Sequence, residues 1–282
     1  MNKGILYCLL YGLSLGVSGS LIHEQGHDTA IELSLLYTAL FTTLFFNVVD
    51  YRNCVKNHKV IYSHFWPWAV MSLTIVTGWL ATYYAFLFSS PHFLLSMLFL
   101  TMALLGCIQG QEWRKCIFVS GAIVACTVFE PSVSWLTASI AISSGVSGYI
   151  YMLYSKKLAN SAGLNTQGLL SIRFYLLIIV CLLVFKFHQP SSSVLLSLKD
   201  VGFLALVSLL NMIIPLYFSQ SAIQLLGAKI TSKYLTFTPL IAFGVDSVLN
   251  REFNIGMFAS CLLVAVVLNS NFQVSRLPVE SK

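Results

Sequence analysis

The chain has 282 residues, of which 57% are hydrophobic and only 9% charged, with a mean hydropathy of +0.81 and a formal charge of +6. A soluble domain keeps roughly a quarter of its residues charged, so a water-facing globular surface is excluded and lipid must be the main solvent. The positive charges stand between apolar runs rather than in one patch, which argues against nucleic acid as a partner.

A membrane-spanning helix needs about 20 mostly apolar residues. Ten such runs follow one another, at 4–22, 31–49, 60–88, 91–109, 115–130, 133–154, 168–187, 200–224, 229–249 and 255–272. The first could pass for a signal peptide, but no A-x-A-like cleavage site follows it and apolar runs continue beyond it, so it reads as a span. The third is long enough to tilt or bend, and Pro67 and Gly78 give it places to do so. Connections are short, as an up-and-down bundle requires. The seven cysteines are scattered, mostly inside apolar runs, without a C-x-x-C pair. They read as small core residues, and no metal or other cofactor is expected.

The basic residues test this count. With the N-terminus inside, Lys3, Arg52, Lys56, Lys59, Arg114, Lys115, Lys156, Lys157, Lys229, Lys233, Arg276 and Lys282 all fall on the cytoplasmic side. Only Lys186, Lys199 and Arg251 fall outside, while Arg173 lies within the seventh run. That bias follows the positive-inside rule and is lost if a helix is dropped early in the chain. The expected fold is therefore an all-α integral membrane protein of ten transmembrane helices with both termini cytoplasmic.

A repeat runs through these helices. Gly16-Val17-Ser18-Gly19 in helix one recurs as Gly145-Val146-Ser147-Gly148 in helix six, and helices four and nine each run into a glutamate, Glu112 and Glu252. Both matches fit a five-plus-five division, 1–131 and 132–282. Because five is odd, the second half enters the membrane in the opposite sense, giving an inverted repeat of the kind transporters use.

Residues 222–269 resemble the eighth-to-tenth helix region of the drug/metabolite transporter superfamily, in its EamA-like branch. Ala222, Ala228, Pro239 and Glu252 stand where that pattern has an alanine-rich helix end, a central proline and a glutamate. A fainter copy runs from Tyr84 through Ser96 to Glu112 and Gly121. The first half lacks a proline matching Pro239, and Cys261 replaces a usual glycine. The resemblance implies a metabolite transporter of a bacterial inner membrane, with its substrate cavity lined by helices one, three, four, six, eight and nine. Export is favoured because many members export.

Polar and aromatic residues near mid-depth on those helices are the substrate-binding candidates: Ser14, Ser18, Trp79, Tyr83, Ser96, Ser144, Ser147, Tyr151, Asn211, Tyr234 and Thr238. Each has a structural alternative. The serines and glycines of the repeated motif also suit close helix packing, while Trp66, Trp68 and Trp113 near helix ends suit interfacial anchoring. Asn211 is the sharpest candidate, because a mid-bilayer amide must find partners or face water. Lys229 and Lys233, one turn apart, could meet an anion at the inner face or snorkel to headgroups. Pro215 and Pro239, near the middles of helices eight and nine, would break the helical ladder and serve as gating points. The mixed aromatic and hydroxyl set suits an amino acid or related zwitterion. Alternatives are uptake of a quaternary ammonium held by aromatic rings or of an anionic metabolite. No charge is placed at the centre of a span, which speaks against a buried proton relay. The oligomeric state is not fixed, and a monomer is compatible with everything above.

One motif points elsewhere. His23-Glu24-Gln25-Gly26-His27 has the His-Glu-x-x-His spacing that places two zinc ligands and a general base on one helical face. An intramembrane zinc metalloprotease is therefore a second reading. It lacks a third ligand in a suitable context. The motif also falls in the expected outer connection from Ile22 to Ala30, which leaves little length for a helical platform, so a polar loop is the better expectation.

Overall fold

The computed structural model describes residues 3–25, 31–130, 133–188, 198–226, 231, 234–251 and 253–269. In chain order the helices are α1 (Lys3–Gln25), α2 (Ile31–Val49), α3 (Cys54–Ser63), α4 (Phe65–Phe88), α5 (Pro91–Gln109), α6 (Trp113–Phe129) and α7 (Trp135–Ala162). Then come α8 (Thr166–Ile172), α9 (Tyr175–His188), α10 (Leu198–Ser208), a π-helical turn at Leu209–Ile213, α11 (Ile214–Leu226), α12 (Thr238–Asn250) and α13 (Ile255–Asn269). No strand occurs among the described residues. Among the described residues six stretches are long and apolar enough to cross a membrane: Lys3–His23, Phe65–Phe88, Pro91–Gln109, Trp135–Ala162, Thr166–Phe187 and Asp200–Ser219. These are the marks of a multi-pass membrane protein. α6, α12 and α13 are shorter, at 17, 13 and 15 residues.

Lipid is written on the outside of the bundle. Ile117, Val124 and Val128 on one face of α6 are 73%, 63% and 68% exposed. A water-soluble helix would turn that face inward.

Several ends are set by local chemistry. Ser90 is extended and Pro91 opens α5, where a missing N–H is harmless. Ser134 caps α7 by accepting a hydrogen bond from the Thr137 N–H at 3.1 Å, and Gly163 closes it in the left-handed conformation at φ 60°. These caps carry α7 well past the expected 133–154. The expected run 60–88 is divided at His64: residues 60–63 belong to α3, which with its preceding turn lies at 87° to α2. Pro67 falls in the first turn of α4 and needs no N–H partner there. Gly78 is a contact point, since a methyl group on it would lie 3.2 Å from Ser147 Cβ of α7. The expected run 168–187 is interrupted between α8 and α9 at Arg173 and Phe174. The break is held open by side chains: Trp68 Nε1–H donates to the Ile172 carbonyl and Asn47 Nδ2–H to the Ser171 carbonyl, each at 3.0 Å. Trp68 is thus a half-buried brace of this break, whereas Trp66 and Trp113 are 76% and 65% exposed.

Packing links the two parts of the chain. α4 lies along α7, and α1 lies along α11 and α12. α5 packs on α6, α7 and α12, α6 on α13, and α2 on α8, α9 and α10. Gly16 allows the α1–α12 approach, where a methyl group would come within 3.0 Å of Ala242 Cα. Gly145 allows the α5–α7 approach, where a methyl group would meet Thr101 Cβ at 2.6 Å and the Leu98 carbonyl oxygen at 2.9 Å.

Candidate functional site

Two polar regions stand out inside this apolar bundle. The first lies along the middle stretches of α1, α4, α7 and the α10–α11 span. Ser18 donates its hydroxyl between the Leu15 carbonyl and Asn211 Oδ1, both at 3.2 Å, and Ser14 donates to the Leu210 carbonyl. The Tyr83 and Thr38 hydroxyls bond to each other at 3.2 Å, and the Asn211 amide lies beside Tyr83. Across the bundle Ser144 bonds to Thr82 at 2.7 Å and Ser147 to Thr77 at 3.0 Å. Tyr151 accepts a 2.6 Å bond from Arg173 Nη1.

The backbone around Asn211 explains its position. Pro215 lacks an N–H and its ring crowds the carbonyl four residues earlier, which is that of Asn211. The chain widens into the π turn at Leu209–Ile213 just before it, a form of helix defect often found at functional sites. Asn211 is 1% exposed, and its Nδ2, beside Tyr83, makes no well-formed hydrogen bond among the described residues. The nearest enclosed space, lined by Ile22, Ser34, Tyr83, Leu87, Phe203, Leu204 and Val207, holds about 10 Å³. That is room for about one water molecule.

The second region is at one end of the bundle, where α5 and α12 meet, and was not expected. His92 at the start of α5 is 2% exposed and stands between Glu130 and Asp246. Its Nε2 is 3.6 Å from Glu130 Oε2 and 3.1 Å from Ser90 Oγ, and its Nδ1 is 3.8 Å from Asp246 Oδ2. Ser90 also donates to Glu130, while Ser20 and Asn250 donate to Asp246 Oδ1 at 3.0 and 3.2 Å. A cleft of about 590 Å³ opens over this cluster, lined by Ser90, His92, Asp246, Asn250, Phe243 and Phe253 among others. Small-molecule sites commonly have that volume. His92 thus stands between one buried carboxylate, Glu130, and one partly exposed carboxylate, Asp246, which faces the cleft.

The remaining candidates are dispersed. Trp79 meets Tyr83 at a tilt of 59°, with ring centres 6.3 Å apart, and so borders the first region. Ser96 is buried beside Cys261 of α13, away from it. Thr238 is fully buried with its hydroxyl unpartnered, and Tyr234 is half-buried; neither bonds to the other candidates. Pro239 is corrected in detail: the helical ladder is interrupted at Thr236 and Phe237, and Pro239 sits in the first turn of α12 just after that break rather than within a continuous helix. Lys229 and Lys233 lie outside the described residues.

The histidine motif is corrected as well. α1 continues to Gln25, so His23 is helical rather than in a loop, and its Nδ1 bonds the Phe86 carbonyl at 2.8 Å. His27 and the side chain of Glu24 lie outside the described residues. No group of three metal-ligating side chains occurs among those described. No protein-family model matches this chain, and no curated protein matches it either.

Proposed function

We propose that the chain is an alternating-access transporter of the drug/metabolite type, with ten spans in two inverted halves and both termini cytoplasmic, in a bacterial inner membrane. Its substrate is a small polar or amphipathic metabolite, an amino acid or related zwitterion in the favoured case, moved outward. The observation that carries this reading is the twice-written Gly-Val-Ser-Gly. In its first copy Gly16 packs on the ninth span and Ser18 bonds to the eighth. In its second copy Gly145 packs on the fourth span and Ser147 bonds to the third. Exchanging spans one to five with six to ten turns one set of contacts into the other.

Several of the larger packings obey the same exchange. Spans three and six pair as eight and one do, while two with seven, four with nine and five with ten are their own images. Two halves related in this way can swap conformations, which converts an outward-open state into an inward-open one. A ligand-sized cleft at the outer end and a nearly closed middle suit one such state. The resemblance of residues 222–269 to the EamA-like pattern points the same way.

The test compares small molecules inside and outside cells producing the wild-type protein or its Asn211→Leu variant. Redistribution of at least one metabolite, reduced in the variant, is expected. Indistinguishable profiles for wild type, variant and empty cells would refute transport. Reporter fusions at both ends, each expected inside, test the ten-span topology separately.

A further inference from the structure

Arg173 is among the largest fully buried side chains of the described residues, at 2% exposure. It stands at the interruption between α8 and α9, packed over the Phe174 ring at 4.4 Å and the Tyr151 ring at 5.5 Å. A guanidinium carries five N–H donors. Among the described residues the protein supplies it one acceptor, the Tyr151 hydroxyl oxygen at 2.6 Å. The Nε–H is buried with no acceptor at all. The ion pairs among the described residues join His92 to Glu130 and Asp246, and Lys115 to Glu112, and none reaches Arg173.

This is a poor bargain for a structural residue. Buried charges are normally paired and their donors satisfied, and a cation left short of acceptors destabilises the fold that holds it. Ring faces at these distances attract the charge but accept none of the in-plane N–H groups. The surroundings are nonetheless constructed, since Trp68 and Asn47 satisfy the carbonyls of the break. The positive end of the α9 dipole begins two residues later, adding to the attraction for negative charge.

We propose that Arg173 is the anchor of a ligand site for a small organic carboxylate, which the guanidinium grips through its two-pronged edge while the Tyr151 and Phe174 rings meet the apolar part. The planar fork matches a carboxylate in bidentate geometry, where a lysine would offer only a point charge. This rests on the transporter reading and deepens it: the site lies where a broken span crosses the bundle, a usual place for substrate in such folds, and it selects for the carboxylate end of an amino acid or acid metabolite.

The test is thermal unfolding of the detergent-purified full chain with benzoate, benzyl alcohol and inorganic phosphate as probes. Wild type is expected to melt higher with increasing benzoate and to ignore benzyl alcohol and phosphate. Arg173→Met is expected to lose the benzoate shift and, without ligand, to melt several degrees above wild type, because a hydrophobic chain of similar length replaces an under-satisfied cation. Arg173→Lys keeps the charge and is expected to need at least tenfold more benzoate, which holds the proposal open to test should the methionine variant not fold. A wild-type protein indifferent to benzoate, a response to phosphate alone, or an unliganded Arg173→Met that melts lower than wild type would each overturn it. Transport is not read in this assay, so its failure leaves the metabolite comparison standing, and the converse also holds.

Discussion

The same four residues occur in α1 and in α7, and the two copies sit in unlike surroundings. Ser147 meets Thr77 on α4, a helix without interruption, and both hydroxyls are satisfied there. Ser18 meets Asn211 on a π turn, and the Nδ2 side of that amide makes no well-formed hydrogen bond among the described residues. The glycines differ in degree too: Gly145 faces backbone and side chain at under 3 Å, while Gly16 faces backbone at 3.0 Å. Identical sequence has thus been fitted to a tight, regular seam on one side and a looser, defective seam on the other. An exchange of conformations needs this kind of inequality, because two equally satisfied seams would leave nothing to exchange.

Substitutions can break or sharpen that contrast, and denaturant unfolding of the purified protein reads them. Gly145→Ala forces a methyl group against Thr101 and the Leu98 carbonyl, and a loss of about 2 kcal/mol is expected after the gain in helix propensity. Gly16→Ala is expected to lose less, about 1 kcal/mol; an equal or larger loss would mean the first seam is the tighter. Ser147→Ala should cost about 0.6 kcal/mol, the usual worth of a hydroxyl bond between membrane helices, and a double-mutant cycle with Thr77→Val should recover it. Asn211→Leu removes an amide that is already half-satisfied, so a change within about 0.5 kcal/mol is expected alongside its effect on metabolite distribution. Gly121→Ala, with nothing within 4 Å of its new methyl group, serves as the lipid-facing baseline and should not destabilise.

Much of the architecture was legible because apolar runs, caps and glycines act locally. Pro91, Ser134 and Gly163 mark helix ends by their own backbone chemistry. Pro215 announced a defect, though not that it would take the form of a π turn. Other features depend on distance in space. Val60, Ile61 and Tyr62 continue the hydrophobic pattern of the third run, so nothing apolar betrays the corner at His64. His92, Glu130 and Asp246 each look like an ordinary polar residue near a helix end, and only folding brings them together over one cleft. Arg173 was visible as a charge inside a span. Its shortage of acceptors is a property of its neighbours and has no local signature.

The right-angle corner between α2 and α3 has a mechanical consequence. Asp50 at the foot of α2 accepts from Asn53 and Asn57 at 2.8 and 2.7 Å, and Asn57 presses on Gly168, where any added side-chain atom would fall 2.8 Å from it. α2 and the α8–α9 pair are therefore latched through α3 and should travel together like the two legs of a clamp. Any flexing of the bundle has to take place around that clamp, between α1 and α11 or between α4 and α7.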